Sequence, residues 1–215
     1  AVAGSEILLS VKSPKLWDTH NPYLYDLEVV LYNNGKETDR IKSYAAMRKV
    51  SAQRDKDGFM RFQLNNKDIF HFGPLDQGWW PDGLYTPPSD EAMLYDVQKT
   101  KELGFNLIRK HIKVEPARWY TYCDRMGILV WQDMPSGDAY PKWEPFVYNG
   151  GEEVKRSAES DATYRKEWKE IMDHLMPYPC IQVWTPFNEA WGQYDTETIA
   201  EWTKKYDPTR LVNPA

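Results

Sequence analysis

Cysteine is nearly absent. Cys123 and Cys180 stand 57 positions apart, with no C-x-x-C pairing and no adjacent histidine. That spacing speaks against a zinc site and reads as two buried free thiols, with the redox compartment left open. Long apolar runs are also missing, since no stretch approaches the roughly 18 residues of a membrane span. Basic residues are outnumbered, 27 Lys and Arg against 32 Asp and Glu, for a net charge of −5. They are scattered rather than striped, so the concentrated positive face that nucleic acid requires is not there. No charged-then-apolar leader opens the chain; "AVAGSEILLSVKSPK" reads as the interior of a longer polypeptide, and the compartment stays open.

What is present suits a packed core. The 215 residues are 41% hydrophobic and 27% charged with no low-complexity tract, enough for one domain or parts of two. The surplus is aromatic, with ten Trp and fourteen Tyr. Such rings read first as core and second as platforms for the C–H faces of sugars; Trp79, Trp80, Tyr85 and Trp131 are the platform candidates.

Residues 1 to about 67 read as β. Tyr23, Tyr25, Leu27, Val29 and Leu31 fall on one face at period two, and Asn34-Gly35 supplies a tight hairpin turn. A second hairpin is expected from Phe59 to Phe72, turning at Asn65-Asn66. From Ile69 the period changes. Strands are expected near 69–76, 106–111, 128–134, 181–187 and 210–213, alternating with helices near 89–103, 116–126, 160–176 and 195–206. In the third helix Tyr164, Trp168, Ile171, Met172 and Leu175 make one apolar stripe. Ser89 followed by Asp90 and Glu91 caps the first helix, and Gly104 and Gly127 sit where helices end.

Regular βα alternation means parallel strands with right-handed crossovers. A doubly wound nucleotide fold would place a glycine-rich turn after the first strand. "DQGWWPDGLYTPPSD" stands there instead, long and aromatic, so a TIM barrel is the better reading. Residues 69–215 carry about five of its eight strands, preceded by the tail of a β domain. Two open parallel edges and an uncovered apolar interior then make self-association of the isolated chain an expectation.

The strands are apolar until their C-terminal ends and then turn polar, presenting Asp76 and Gln77, Arg109 and His111, Asp133, and Asn188 and Glu189. Polar groups there either fill the top layer of a barrel or form its active site. "GFNLIRKHIKVEPARWYTYCDRMGILVWQDMP" at 104–135, "YPCIQVWTPFNEAWGQ" at 178–193 and "KLWDTHNPYLYDLEVVL" at 15–31 together carry a resemblance. The chain resembles glycoside hydrolase family two, the clan of β-galactosidases, β-glucuronidases and β-mannosidases.

The resemblance implies that residues 1–50 are the C-terminal part of an immunoglobulin-like β-sandwich and 51–215 the N-terminal part of a TIM-barrel catalytic domain. It implies a retaining exo-acting β-glycosidase with Glu189 as general acid/base. Asn188 would bond the sugar 2-hydroxyl, and Arg109 would hold charge and orientation beneath the carboxylates; a purely structural salt bridge with Asp133 is the other reading of Arg109, and the two roles can coexist. His111 either touches substrate or is a satisfied core histidine. With Asp76 and Trp191 these residues form the expected carbohydrate-binding set; no metal or cofactor is implied. The nucleophilic Glu belongs to a later strand, outside this chain, while Glu197 and Glu201 read as surface charges on a helix. The chain departs from better-known members: "RKHIKVEP" brings His111 one place closer to its Arg and replaces a usual Pro, and "AAMRKV" replaces a usual Gly-Phe-Arg. The sugar is therefore open, and a carbohydrate-binding, catalytically inactive relative is the alternative.

Overall fold

The computed structural model describes residues 2, 4–5, 7–139, 153–189 and 191–215. Strands β1 (Tyr25–Asn33) and β2 (Lys36–Ala45) form an antiparallel hairpin, and Asn34 and Gly35 both take positive φ at its turn. The expected apolar face forms, but Val29 and Leu31 remain 54% and 50% exposed.

The second hairpin turns at Asn65-Asn66 as expected, yet its outgoing strand β5 (Lys67–Asp68) is only two residues long. Its incoming strand β4 (Met60–Leu64) spends its other edge on β3 (Val50–Arg54), an unforeseen antiparallel partner. Asp55 closes that turn by accepting hydrogen bonds from the backbone of Asp57 and Phe59.

Next come β6 (Leu75–Asp76), α1 (Asp90–Glu102), β7 (Leu107–Lys110), α2 (Ala117–Met126), β8 (Leu129–Asp133), α3 (Ala158–Leu175), β9 (Ile181–Thr185), α4 (Thr196–Tyr206) and β10 (Leu211–Val212). The strands form one parallel sheet in the order β10-β9-β8-β7-β6. β6 is far shorter than the expected 69–76 strand, for a local reason. Pro74 has no N–H for a ladder, and the Asn106 side chain takes over Phe70 and Phe72, donating to the first and accepting from the second. Helices α1 and α3 start at serine caps, where Ser89 accepts from Ala92 N and Ser157 from Ser160 N. Helix α2 ends at Gly127, whose φ of 68° is left-handed and whose α-carbon lies so close to Thr19 that a β-carbon would meet that carbonyl at 2.7 Å.

Only part of the aromatic surplus goes to the core, where Trp17, Trp119, Trp168 and Trp184 are fully buried, while others such as Phe70, Trp79 and Tyr95 stay exposed. Trp168 donates to Thr203 and Trp184 to Asp207, so both indole N–H groups are satisfied. Burial pushes the Asp207 carboxyl up, but Arg210, Thr209 and Trp184 together outweigh it and hold the group at about 2. Cys123 and Cys180 are buried free thiols in side-chain contact with each other, a proximity their separation in sequence conceals.

The N-terminal β segment is tied to the sheet through Asp124 and Arg48. Asp124 accepts from Tyr44 OH at 2.7 Å, from Cys180 N at 2.8 Å and, through its carbonyl, from Trp17 Nε1 at 2.7 Å. Arg48 donates to the carbonyls of Pro179, Ile181 and Thr209.

Candidate functional site

Alternation along the strands decides which side chains meet. Arg109 lies opposite Trp131, and Trp131 opposite Val183, so these three share one face of the sheet; Asp133, two residues beyond Trp131, joins them. Arg109 meets Asp133 with two parallel bonds, Nε to Oδ1 at 3.1 Å and Nη2 to Oδ2 at 3.0 Å. The same Nη2 donates to Asn188 Oδ1 at 2.9 Å. Asp133 is fully buried and also accepts from Ile112 N at 3.3 Å. Burial raises its carboxyl pKa, and the Arg109 charge opposes that rise only in part.

Beyond β9 the chain makes a sharp turn. Asn188 is buried and bridges to Trp191, whose N–H donates to the Asn188 carbonyl at 2.9 Å. Glu189 sits in this turn with φ of 40°, a left-handed conformation that is strained for any residue bearing a β-carbon. Its side chain is exposed and borders a cavity of about 640 Å³, a volume suited to a sugar-sized ligand. Asn188, Glu189, His111 and Trp191 all line that cavity, together with Gln77, Tyr85 and the loop Pro135–Ala139 after β8. With its oxygen held by Arg109, the Asn188 carboxamide has its N–H₂ left for the cavity.

His111 is buried against the cavity, and its Nδ1 has no hydrogen-bond partner among the described residues. The Thr185 hydroxyl, opposite Asp133 in the ladder, shares that condition. Of the four aromatic platform candidates Tyr85 lines the cavity, as does Trp191 from the expected binding set, and Trp79 packs against Tyr85. Trp131 donates instead to His71 Nδ1 at 3.0 Å and packs edge-on to Phe62. Burial lowers the His71 pKa to about 4, which suits an imidazole that accepts from an indole.

Asp76 does not join this cluster. It lies opposite Lys110 in register and therefore on the helix-covered face. Lys110 is completely buried there, its ammonium 2.6 Å from Asp76 Oδ2 and 2.7 Å from Glu115 Oε1, over the Trp119 ring. A buried ammonium requires carboxylates, and this one takes Asp76. Asp76 Oδ1 is spent on Gly78 N at 2.7 Å. Glu197 and Glu201 lie exposed on α4, as expected. Two features went unforeseen, the Lys110–Glu115 pair and the part played by the Ser136–Ala139 loop. The sequence did hint at the first, because period two places Lys110 between Arg109 and His111 on the opposite face.

A five-stranded parallel sheet joined by helices, with a carboxylate-bordered cavity past its strand ends, is consistent with part of an α/β barrel, the class whose strand ends carry active sites. The family model for glycosyl hydrolases family 2 matches residues 2–48, and that for the glycosyl hydrolases family 2 TIM barrel domain matches residues 85–214, more than half of the chain. The chain belongs to glycosyl hydrolases family 2. It is 26% identical over 219 residues to a beta-galactosidase of Lactococcus lactis subsp. lactis strain IL1403, covering 98% of this chain and 20% of that protein. A beta-galactosidase of Halalkalibacterium halodurans is 26% identical over 223 residues, covering 96% and 20%. Among solved structures, a beta-D-glucuronidase of Dictyoglomus thermophilum superposes with a TM-score of 0.77 at 23% identity, covering 94% of this chain and 34% of that one. A beta-glucuronidase of Parabacteroides merdae superposes with a TM-score of 0.73 at 17% identity, covering 94% and 24%. These two likenesses show the fold. The chain spans about a fifth of the length of the curated relatives it matches.

Proposed function

We propose that the chain is part of a retaining, exo-acting β-glycosidase, with residues 1–50 the end of an immunoglobulin-like domain and 51–215 the first half of the catalytic barrel. The observation that carries this reading is Glu189 at the cavity rim beside Asn188, whose carboxamide is fixed by Arg109. A glycosidic oxygen is a poor leaving group and must gain a proton as its bond to the anomeric carbon breaks. Glu189 supplies that proton while a second carboxylate attacks the anomeric carbon from the opposite face, forming a glycosyl ester. In the next half-reaction Glu189 takes a proton from water, which displaces the ester and releases the sugar. The Asn188 N–H₂ bonds the sugar 2-hydroxyl, an interaction that strengthens as positive charge develops on the ring. Trp191 and Tyr85 offer their rings to the sugar, and His111 offers Nδ1. We assign the second carboxylate to the remainder of a longer polypeptide, in keeping with the share of its relatives that this chain covers.

Glu189→Gln in the complete enzyme tests the reading. Turnover of unactivated β-glycosides falls by on the order of 10²–10⁴-fold, whereas a dinitrophenyl glycoside, which leaves without protonation, is cleaved in glycosylation nearly as before. Wild-type turnover of an unactivated glycoside by this variant overturns the assignment. The 215-residue chain alone shows no hydrolysis; robust turnover by it contradicts the missing second carboxylate.

A further inference from the structure

We propose that Arg156 is a positioning residue for Glu189, a buried clamp that sets the turn after β9 against the loop after β8. The proposal rests on the acid/base reading of Glu189. Arg156 precedes the cap of α3, and its side chain is only 4% exposed. Nη2 donates to Ser136 O at 2.6 Å and Gly192 O at 2.9 Å, Nε donates to Gly192 O at 3.2 Å, and Nη1 donates to Ser160 Oγ at 3.2 Å. The guanidinium lies 4.8 Å from the Tyr164 ring centre and 4.7 Å from that of Tyr194.

The same two tyrosines hold the turn's flanks. Tyr164 OH donates to Pro186 O at 2.8 Å, and Tyr194 OH donates to Asp161 Oδ1 at 2.6 Å. Loop and turn also bond directly, Ser136 Oγ to Trp191 O at 2.8 Å and Gly192 N to Ala139 O at 3.2 Å. They approach so closely that a β-carbon at Gly192 would fall 1.8 Å from Gly137 O.

Glu189 has a left-handed backbone that does not hold itself. Arg109 fixes the near side of the turn through Asn188, and Arg156 fixes the far side through Gly192. A lysine would keep the charge between the rings, but without the planar fork it would not span the same carbonyls. The proton donor must lie within hydrogen-bond reach of the leaving oxygen, so a shift of about 1 Å in this turn costs on the order of 10²-fold in rate.

The test measures kcat and KM of the complete enzyme for Arg156→Ala, Arg156→Lys and Gly192→Ala on a series of aryl β-glycosides, with Glu189→Gln as the control. Misplacing the acid lowers kcat on poor leaving groups by on the order of 10²-fold and on dinitrophenyl glycosides by less than about tenfold, with KM little changed. A loss of folding affects every substrate alike. Where Arg156→Ala does not fold, Arg156→Lys and Gly192→Ala are read by the same criterion. An equal loss across the series, or no loss, while Glu189→Gln discriminates between leaving groups, overturns the clamp alone. A flat Glu189→Gln profile removes the acid/base reading and the clamp with it.

Discussion

Arg109 and Asn188 are joined by a 2.9 Å hydrogen bond from Nη2 to Oδ1, made by the guanidinium that also grips the buried Asp133. The orientation of Asn188 is thereby set from below by a guanidinium that is itself anchored on a buried carboxylate. Its N–H₂ is the group we expect to meet the sugar. Asn188→Ala lowers kcat/KM on ordinary substrates by on the order of 10²–10³-fold, the several kcal/mol associated with the 2-hydroxyl contact. A 2-deoxy substrate suffers little further loss in the variant. A full additional loss on the 2-deoxy compound separates Asn188 from the 2-hydroxyl.

Arg109→Met leaves Asp133 buried without its cation. The expected cost is about 3–5 kcal/mol, read as a lower urea midpoint. Adding Asp133→Asn restores part of that loss, because the amide carries no charge to strand. A double variant no more stable than the single one contradicts this account.

Asp124 gives the fold a pH signature. Burial raises its carboxyl from 3.8 to about 6, against the opposing hydrogen bonds from Cys180 and Tyr44. The folded protein therefore holds this proton more tightly than the unfolded chain. The associated stability is complete below about 3.8 and is lost as pH rises through about 6. The difference amounts to about 3 kcal/mol. Asp124→Asn stays neutral and can donate to Tyr44 oxygen, so its unfolding free energy lacks this slope between pH 4 and 7. Parallel urea titrations of the two proteins across that range provide the check; equal slopes refute it.

Gly127 and Gly104 separate strain from packing. Both take positive φ at helix ends, but a β-carbon meets Thr19 O at 2.7 Å at the first and open space at the second. Gly104→Ala costs about 1 kcal/mol for the left-handed backbone alone. Gly127→Ala adds the displacement of Thr19 and costs a further 1–3 kcal/mol, roughly, with the difference in urea midpoints as the measure.

The isolated chain exposes apolar side chains on β1 and β2 and before β6. Val29, Ile41, Phe70 and Phe72 are 54%, 55%, 81% and 54% exposed. Sedimentation velocity is expected to show concentration-dependent association, and Val29→Lys with Ile41→Lys to reduce it. A compact monomer at all concentrations contradicts the expectation.

How legible the fold was depended on how local each cause is. The α3 stripe and the Asn34-Gly35 and Asn65-Asn66 turns follow from neighbours in sequence, and each stands where periodicity and turn chemistry put it. The pairing of β3 with β4 hinged on Asp55 capping its own turn, a signal within four residues that was open to reading. The shrinkage of β6 was not, because Asn106 acts on Phe70 and Phe72 from more than thirty positions away. In the candidate site, Arg109, Asp133, Asn188 and Glu189 were visible as polar ends of apolar strands. Asp76 looked the same and proved to face Lys110, since only register decides the face. Arg156 carried no local signal; its partners come from three separate loops and helices.

Arg48 has a consequence for how the molecule is made. Its three acceptors, the carbonyls of Pro179, Ile181 and Thr209, emerge from the ribosome more than a hundred residues after it does. Until then the N-terminal segment has only its earlier anchor, Tyr44 and Trp17 on Asp124. Docking of the segment is therefore completed only when the residues just before the last strand arrive.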